Sequence, residues 1–117
     1  MAKTIMVVDD EPDIRASVKT ILKKKGYKVV TAISGDDCLK QLKKEKPDLI
    51  LMDIMMPGTP LRDIINKIKN INIMFLTVVR ASEAEKEEIM KNKSIVGYIQ
   101  KPFDINELLK KIENSVG

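Results

Sequence analysis

Leu49-Ile50-Leu51-Met52-Asp53 is a run of four large apolar residues that ends in a single carboxylate. Lys46-Pro47-Asp48 precedes it, and Ile54-Met55-Met56-Pro57-Gly58 follows. So short an apolar run between turn signals reads as a strand buried on both faces, the kind found inside parallel sheets. An aspartate at the tip of such a strand sits on a rigid support and meets solvent at the sheet edge. Open parallel sheets place their ligand chemistry along that edge.

The same pattern repeats to either side. Thr4 to Val8 is a first strand, followed by Asp9-Asp10-Glu11 and by Pro12, which suits the first position of a helix. Ile14, Val18, Ile21 and Leu22 form one apolar stripe on that helix, and Gly26 ends it. Tyr27 to Ala32 is a second strand. Ser34 and Asp37 resemble a capping box that opens a second helix, with Cys38, Leu39 and Leu42 as its apolar face and Pro47 as its limit. Beyond the turn-rich Pro57-Gly58-Thr59-Pro60, Leu61, Ile64, Ile65 and Ile68 mark a third helix, and Ile73 to Thr77 is a fourth buried strand. Ser82 and Glu85 form another capping box, opening a charged and weakly amphipathic helix that suits a loose or partner-facing element. Ile95 to Ile99 is a fifth strand. Asp104 caps a last helix, with Ile105, Leu108, Leu109, Ile112 and Val116 on one face. Five βα units in succession predict an α/β fold, a doubly wound, five-stranded parallel sheet covered by five helices. Two strand orders are common for such sheets, and periodicity does not choose between them.

At 117 residues the chain reads as one domain, 1–117. With aromatics at 3% and no Trp, its core must be built from Ile, Leu, Val and Met. Cys38 is the only cysteine, so no internal disulfide forms, and it reads as a small, half-buried helix residue. The absence of His removes His-based triads, His metal sites and His general bases. The apolar run near the N-terminus, Ile5 to Val8, is too short for a signal peptide or a bilayer span, so a cytoplasmic protein without membrane contact is expected. The net charge of +4 comes largely from lysines near helix ends, where cations complement the helix dipole. Without interleaved aromatics or a long basic block, it reads as a solvated surface and not as a nucleic-acid site.

All strand ends of a parallel sheet share one edge. Here they bring together Asp9 and Asp10, Asp53, Thr77, and Lys101 just past the fifth strand. Alone, each has an ordinary reading; Asp9 or Asp10 could simply cap the first helix. Together, three carboxylates repel one another unless a cation neutralises them. Oxygen-only ligands select a hard ion, Mg²⁺ by preference. Mg²⁺ takes few protein carboxylates and leaves room for phosphate oxygens. An ionised Asp can attack phosphorus to give an acyl phosphate, and an ammonium and a hydroxyl can each hold one phosphoryl oxygen.

Asp9-Asp10, Asp53 with Met-Met-Pro-Gly close behind it, Thr77, and Lys101-Pro102-Phe103 resemble the receiver domain of response regulators, the chemotaxis-regulator type of two-component systems. The resemblance spans the whole chain. It implies the flavodoxin-like strand order 2-1-3-4-5. It implies that Asp53 accepts a phosphoryl group from a phosphohistidine of a sensor histidine kinase or phosphotransfer protein. It further implies that Asp10 and Asp53 bind Mg²⁺ directly with the backbone carbonyl of Met55, that Asp9 acts through water, and that Lys101 contacts the phosphoryl group through a segment whose Lys101–Pro102 bond is often cis. Thr77 would move toward the phosphoryl group, and Tyr98 would turn inward as it does, although Tyr98 also reads as a strand aromatic that simply packs. The signal would pass to an output domain or effector protein, from a monomer or weak dimer. Such a chain is a signalling switch, catalysing only its own phosphorylation and dephosphorylation.

Two departures from the family pattern stand out. Val78 follows Thr77 where a small residue is usual, and Pro57-Gly58-Thr59-Pro60 replaces the more usual Met-Pro-Gly-Met-Asp-Gly continuation. Two rival readings have less support. A haloacid-dehalogenase-type phosphatase wants a second Asp where Met55 stands, and a phosphorylation-independent binding module has no need of the acidic set and Lys101. Nucleotide cofactors are not expected, since neither glycine-rich phosphate motif is present.

Overall fold

The computed structural model describes residues 2–54, 58–77 and 91–116, with the backbone alone at Thr77. Its elements run β1 (Thr4–Val8), α1 (Pro12–Lys24), β2 (Lys28–Ala32), α2 (Gly35–Gln41), β3 (Leu49–Asp53), α3 (Leu61–Lys67), β4 (Asn72–Thr77), β5 (Ile95–Gln100) and a C-terminal helix (Ile105–Val116). The strands form one parallel sheet in the order β2-β1-β3-β4-β5. Periodicity left that order open, and the resemblance supplied it.

Strand alternation builds two cores. Met6, Val8, Ile50, Met52 and Phe75 face Cys38, Ile64 and Ile65 on the α2–α3 side. Ile5, Val7, Leu49, Leu51, Met74 and Leu76 face Val18 and Leu22 of α1 and Leu108 and Ile112 of the C-terminal helix. All five residues of β3 are buried. A side chain the size of leucine contributes roughly 1.5–3 kcal/mol when fully buried, so β3 is held from both sides. The carboxylate at its end inherits that rigidity.

Helix ends follow the sequence signals closely. Pro12 opens α1. Its end is a Schellman turn, with the Gly26 N–H donating to the Lys23 carbonyl, the Tyr27 N–H to that of Leu22, and Gly26 at φ +92°. Tyr27 is thereby part of the helix stop, and β2 begins one residue later than expected, at Lys28. β4 gains Asn72 because it pairs with Leu49, and β5 gains Gln100 because it pairs with Thr77. Ser34 caps α2 by accepting the Asp37 N–H at 3.0 Å, but Asp37 Oδ2 accepts from the Ile33 N–H and not from Ser34, so the box is skewed by one residue. α2 stops at Gln41, short of Pro47, because the amides of Lys43 and Lys44 turn back to carbonyls three residues earlier. Cys38 is fully buried, not half-buried, with its thiol 3.6 Å from the Met6 sulfur. Asp104 caps the C-terminal helix through the amides of Asn106 and Glu107.

The helix expected after Ser82, like Val78, lies outside the described residues, which hold four helices. None of these is long and apolar enough to cross a membrane.

Candidate functional site

β1, β3, β4 and β5 end at the same edge, with Val8 paired to Met52, Asp53 to Leu76, and Thr77 to Gln100. This registry gathers the acidic residues. Asp9, Asp10 and Asp53 each present a carboxylate oxygen within 4.8 Å of the others. Asp9 is fully buried, Asp53 is 3% exposed, and Asp10 is exposed. Lys101, 8% exposed, enters from just beyond β5. Its ammonium lies 2.7 Å from Asp9 Oδ2 and 3.6 Å from Asp53 Oδ2. The Lys101–Pro102 peptide that carries it is cis.

Asp9 is the most committed of the three acids. Its Oδ2 accepts from Lys101 and its Oδ1 accepts the Glu11 N–H at 2.9 Å. Arg15, one turn into α1, reaches back so that Nη1 donates to the Asp9 backbone carbonyl at 2.7 Å. Neither Asp9 nor Asp10 caps α1: the N-cap is Glu11, with no side-chain cap bond. Asp9 instead braces the turn in front of the helix.

The electrostatics follow from these contacts. Burial pulls the Lys101 pKa down. The hydrogen bond to Asp9 and the charges of Asp53, Asp9 and Glu11 outweigh it, and the ammonium is held above its ordinary value. Three carboxylates around one ammonium leave two formal negative charges, the charge of one divalent cation. The donors are all oxygens, the set a hard ion prefers. Both Asp9 oxygens are already engaged, and the exposed Asp10 lies within reach of Asp53. The residues present therefore fit a Mg²⁺ ion.

Of the remaining sequence candidates, Thr77 ends β4 at this edge, while its side chain and all of Met55 lie outside the described residues. Tyr98 stands two residues back from the end of β5, opposite Phe75, and is 37% exposed. Its backbone carbonyl accepts from Lys111 of the C-terminal helix at 3.1 Å. Sequence reasoning missed Arg15 and the Glu11 amide as supports of Asp9. An arginine one turn into a helix that leaves a strand end was the available signal for the first. Nothing in the chain announced the second.

A doubly wound parallel sheet with an acidic, oxygen-only crevice at its strand ends, flanked by a buried lysine, defines the class of protein. The pattern of the response regulator receiver domain matches residues 5–113. The chain belongs to that family. The fold is similar to that of the chemotaxis protein CheY4 of Vibrio cholerae, with a TM-score of 0.87 and 28% identity over 98% of this chain and 99% of that one. A CheY-like receiver domain protein of Methanospirillum hungatei is 37% identical over 93% of this chain and 90% of its own, with a TM-score of 0.80. The response regulator TrrA of Thermotoga maritima, solved in complex with Mg²⁺–BeF, is 32% identical over 97% of this chain and 98% of its own, with a TM-score of 0.80. Receiver domains are signalling switches of two-component systems and not enzymes in the ordinary sense. They work with histidine kinases or phosphotransfer proteins and with output effectors.

Proposed function

We propose that the chain is a single receiver domain, 1–117, whose Asp53 accepts a phosphoryl group from a phosphohistidine in a Mg²⁺-dependent reaction. The observation that carries this reading is the place of Asp53: at the end of a fully buried strand, nearly inaccessible, 3.6 Å from the Lys101 ammonium and grouped with Asp9 and Asp10.

In the transfer, a carboxylate oxygen of Asp53 attacks phosphorus in line with the departing histidine nitrogen. The P–O bond forms as the P–N bond breaks, and the imidazole keeps the bonding pair and takes up a proton. Asp10 and Asp53 would hold Mg²⁺ with the carbonyl of Met55, and Asp9 would contribute through water, since both of its carboxylate oxygens are engaged. Bound Mg²⁺ supplies charge neutralisation for the phosphoryl oxygens. Lys101, whose ammonium stands 3.6 Å from Asp53 Oδ2, balances a further oxygen, and its bond to Asp9 fixes it there before the donor arrives. The Thr77 hydroxyl takes one oxygen after transfer, and Tyr98 turns inward with it. The neighbour solved with Mg²⁺–BeF supports this assignment for the cation. Phosphorylation then shifts a two-state equilibrium that an output domain or effector reads. The chain acts in the cytoplasm, where its kinase partners phosphorylate it.

Intact mass after incubation with acetyl phosphate tests this. A gain of one phosphoryl group with Mg²⁺, lost with EDTA and lost in Asp53→Asn, is the expected result. Incorporation at an unchanged rate in Asp53→Asn would remove Asp53 from the mechanism.

A further inference from the structure

Arg15 sits on the face of α1 that packs against the sheet, where a charge is unusual. It precedes Val18 and Leu22 by three and seven positions, and both of those side chains are fully buried. A guanidinium on such a stripe needs an acceptor, because a donor taken from water and left unpaired is costly. Arg15 is half-buried, and its Nη1 finds that acceptor at 2.7 Å in the Asp9 backbone carbonyl, at the edge where the acids gather.

The bond completes the hold on Asp9. The Asp9 N–H donates to the Ala32 carbonyl at the end of β2, Oδ1 accepts from the Glu11 amide, and Oδ2 accepts from Lys101. With Arg15 on the carbonyl, every polar group of Asp9 has a partner. Asp10 is the opposite case. It is exposed, and among the described residues no hydrogen bond or ion pair holds its carboxylate. Even so, one of its oxygens stands within 4.8 Å of oxygens on Asp9 and Asp53. Its placement is left to the backbone. The Asp9 carbonyl oxygen lies in one rigid plane with the nitrogen and Cα of Asp10. A donor that grips this oxygen therefore fixes the point from which the Asp10 side chain departs.

We propose that Arg15 is a positioning residue for the cation site: by holding the Asp9–Asp10 peptide, it aims the Asp10 carboxylate toward Asp53 before an ion arrives. The inference rests on the reading of Asp10 and Asp53 as Mg²⁺ ligands. Arg15 acts through the peptide and not on the ion. Its charge works the other way, since a cation beside the crevice repels a divalent ion. Removing Arg15 thus has two consequences of opposite sign. Loss of the charge favours Mg²⁺ binding, and loss of the clamp disfavours it, because the ion must then order the acidic turn itself. The charge effect is screened by salt and the clamp is not, so the clamp decides the outcome.

Titration of the full chain with Mg²⁺, followed by amide NMR shifts at Asp10 and Asp53, reads that sign without phosphorylation. Methionine is a good helix former, so Arg15→Met should retain α1. It is expected to raise the half-saturating Mg²⁺ concentration roughly two- to tenfold, the range one such hydrogen bond supports. The increase over wild type should persist in about 1 M salt, where charges are screened beyond roughly 3 Å. Lys19→Met removes the same charge one turn further along α1 and should not weaken binding. In the ion-free chain, the carbonyl carbon shift of Asp9 should move in Arg15→Met, which has lost the donor, and stay in place in Lys19→Met. Unchanged or tighter Mg²⁺ binding in Arg15→Met overturns the positioning role while leaving the site reading intact, as does an equal weakening in both variants or an unmoved Asp9 carbonyl shift. No Mg²⁺ binding by wild type overturns the site reading and the positioning role together.

Discussion

β3 and β5 run to the same crevice and are built in opposite ways. β3 lies between β1 and β4, and every one of its side chains is buried. β5 has one strand neighbour and alternates between buried and open positions, with Val96 39% and Tyr98 37% exposed. Its pairing with β4 is interrupted by an irregularity between Ile73 and Met74. The first strand delivers Asp53, and the second leads to Lys101. The proposed acceptor is fixed by a strand buried on both faces, while the charge that answers it follows a strand with open positions. The difference shows how one sheet can hold one carboxylate rigidly and leave an edge strand open to water.

The largest test of this contrast is a pair of truncations. Leu51→Ala in β3 should cost about 2–5 kcal/mol, because both faces of the strand are packed. Val96→Ala in β5 should stay within about 0.5 kcal/mol, as for a surface site. Chemical denaturation of both variants measures the difference, and equal losses would break the comparison.

Lys101→Met comes next. It leaves one oxygen of the fully buried Asp9 without its donor and removes the nearest cation from Asp53. A loss of about 1–3 kcal/mol at neutral pH is expected. Added Mg²⁺ should narrow the gap between variant and wild type in thermal unfolding, since it supplies the missing positive charge. In wild type, Lys101 holds its proton more tightly when folded than when unfolded. Its stabilising effect is thus complete below the ordinary lysine pKa of 10.5 and fades only as pH climbs through the raised value.

Alkaline pH tests the α2 side of the same sheet. Burial, with the Asp37 charge adding to it, pushes the Cys38 thiol from 9.0 up to about 12. Between those values the unfolded chain gives up the proton and the folded chain keeps it, so stability falls as pH rises. Cys38→Ala should flatten the decline of denaturation midpoint with pH above 9, whatever its effect on the midpoint at neutrality. The native thiol should also resist a thiol reagent that modifies the denatured chain readily. The smallest effect belongs to the C-terminal helix. Its Lys111–Glu107 pair spans 3.5 Å with both side chains open to water. Glu107→Gln should change stability by less than about 0.5 kcal/mol in the same denaturation assay.

Most of the fold was legible because each signal acts locally. Pro12, Gly26, Ser34 and Asp104 mark helix ends through their own backbone or side-chain geometry. The apolar runs mark strands because both faces of this sheet are covered. The errors fall where partners decide. Tyr27 is drawn into the turn after α1, while Asn72 and Gln100 become strand because Leu49 and Thr77 pair with them. The acidic cluster was legible for a topological reason, since one sheet edge collects every strand end. Contacts made only by tertiary packing were not. Thr59 meets Asp36 through the placement of whole elements, and no spacing in the chain encodes that meeting, whereas the reach of Arg15 back to the Asp9 carbonyl spans only six residues and was signalled by its place one turn into α1.

Borohydride reduction after phosphorylation by acetyl phosphate and Mg²⁺ tests the central claim most directly. An acyl phosphate on aspartate is reduced to homoserine, which peptide mass spectrometry locates in the chain. Homoserine at position 53 alone is the predicted result. Homoserine at position 9 or 10, or a phosphorylated chain with none, would contradict Asp53 as the acceptor.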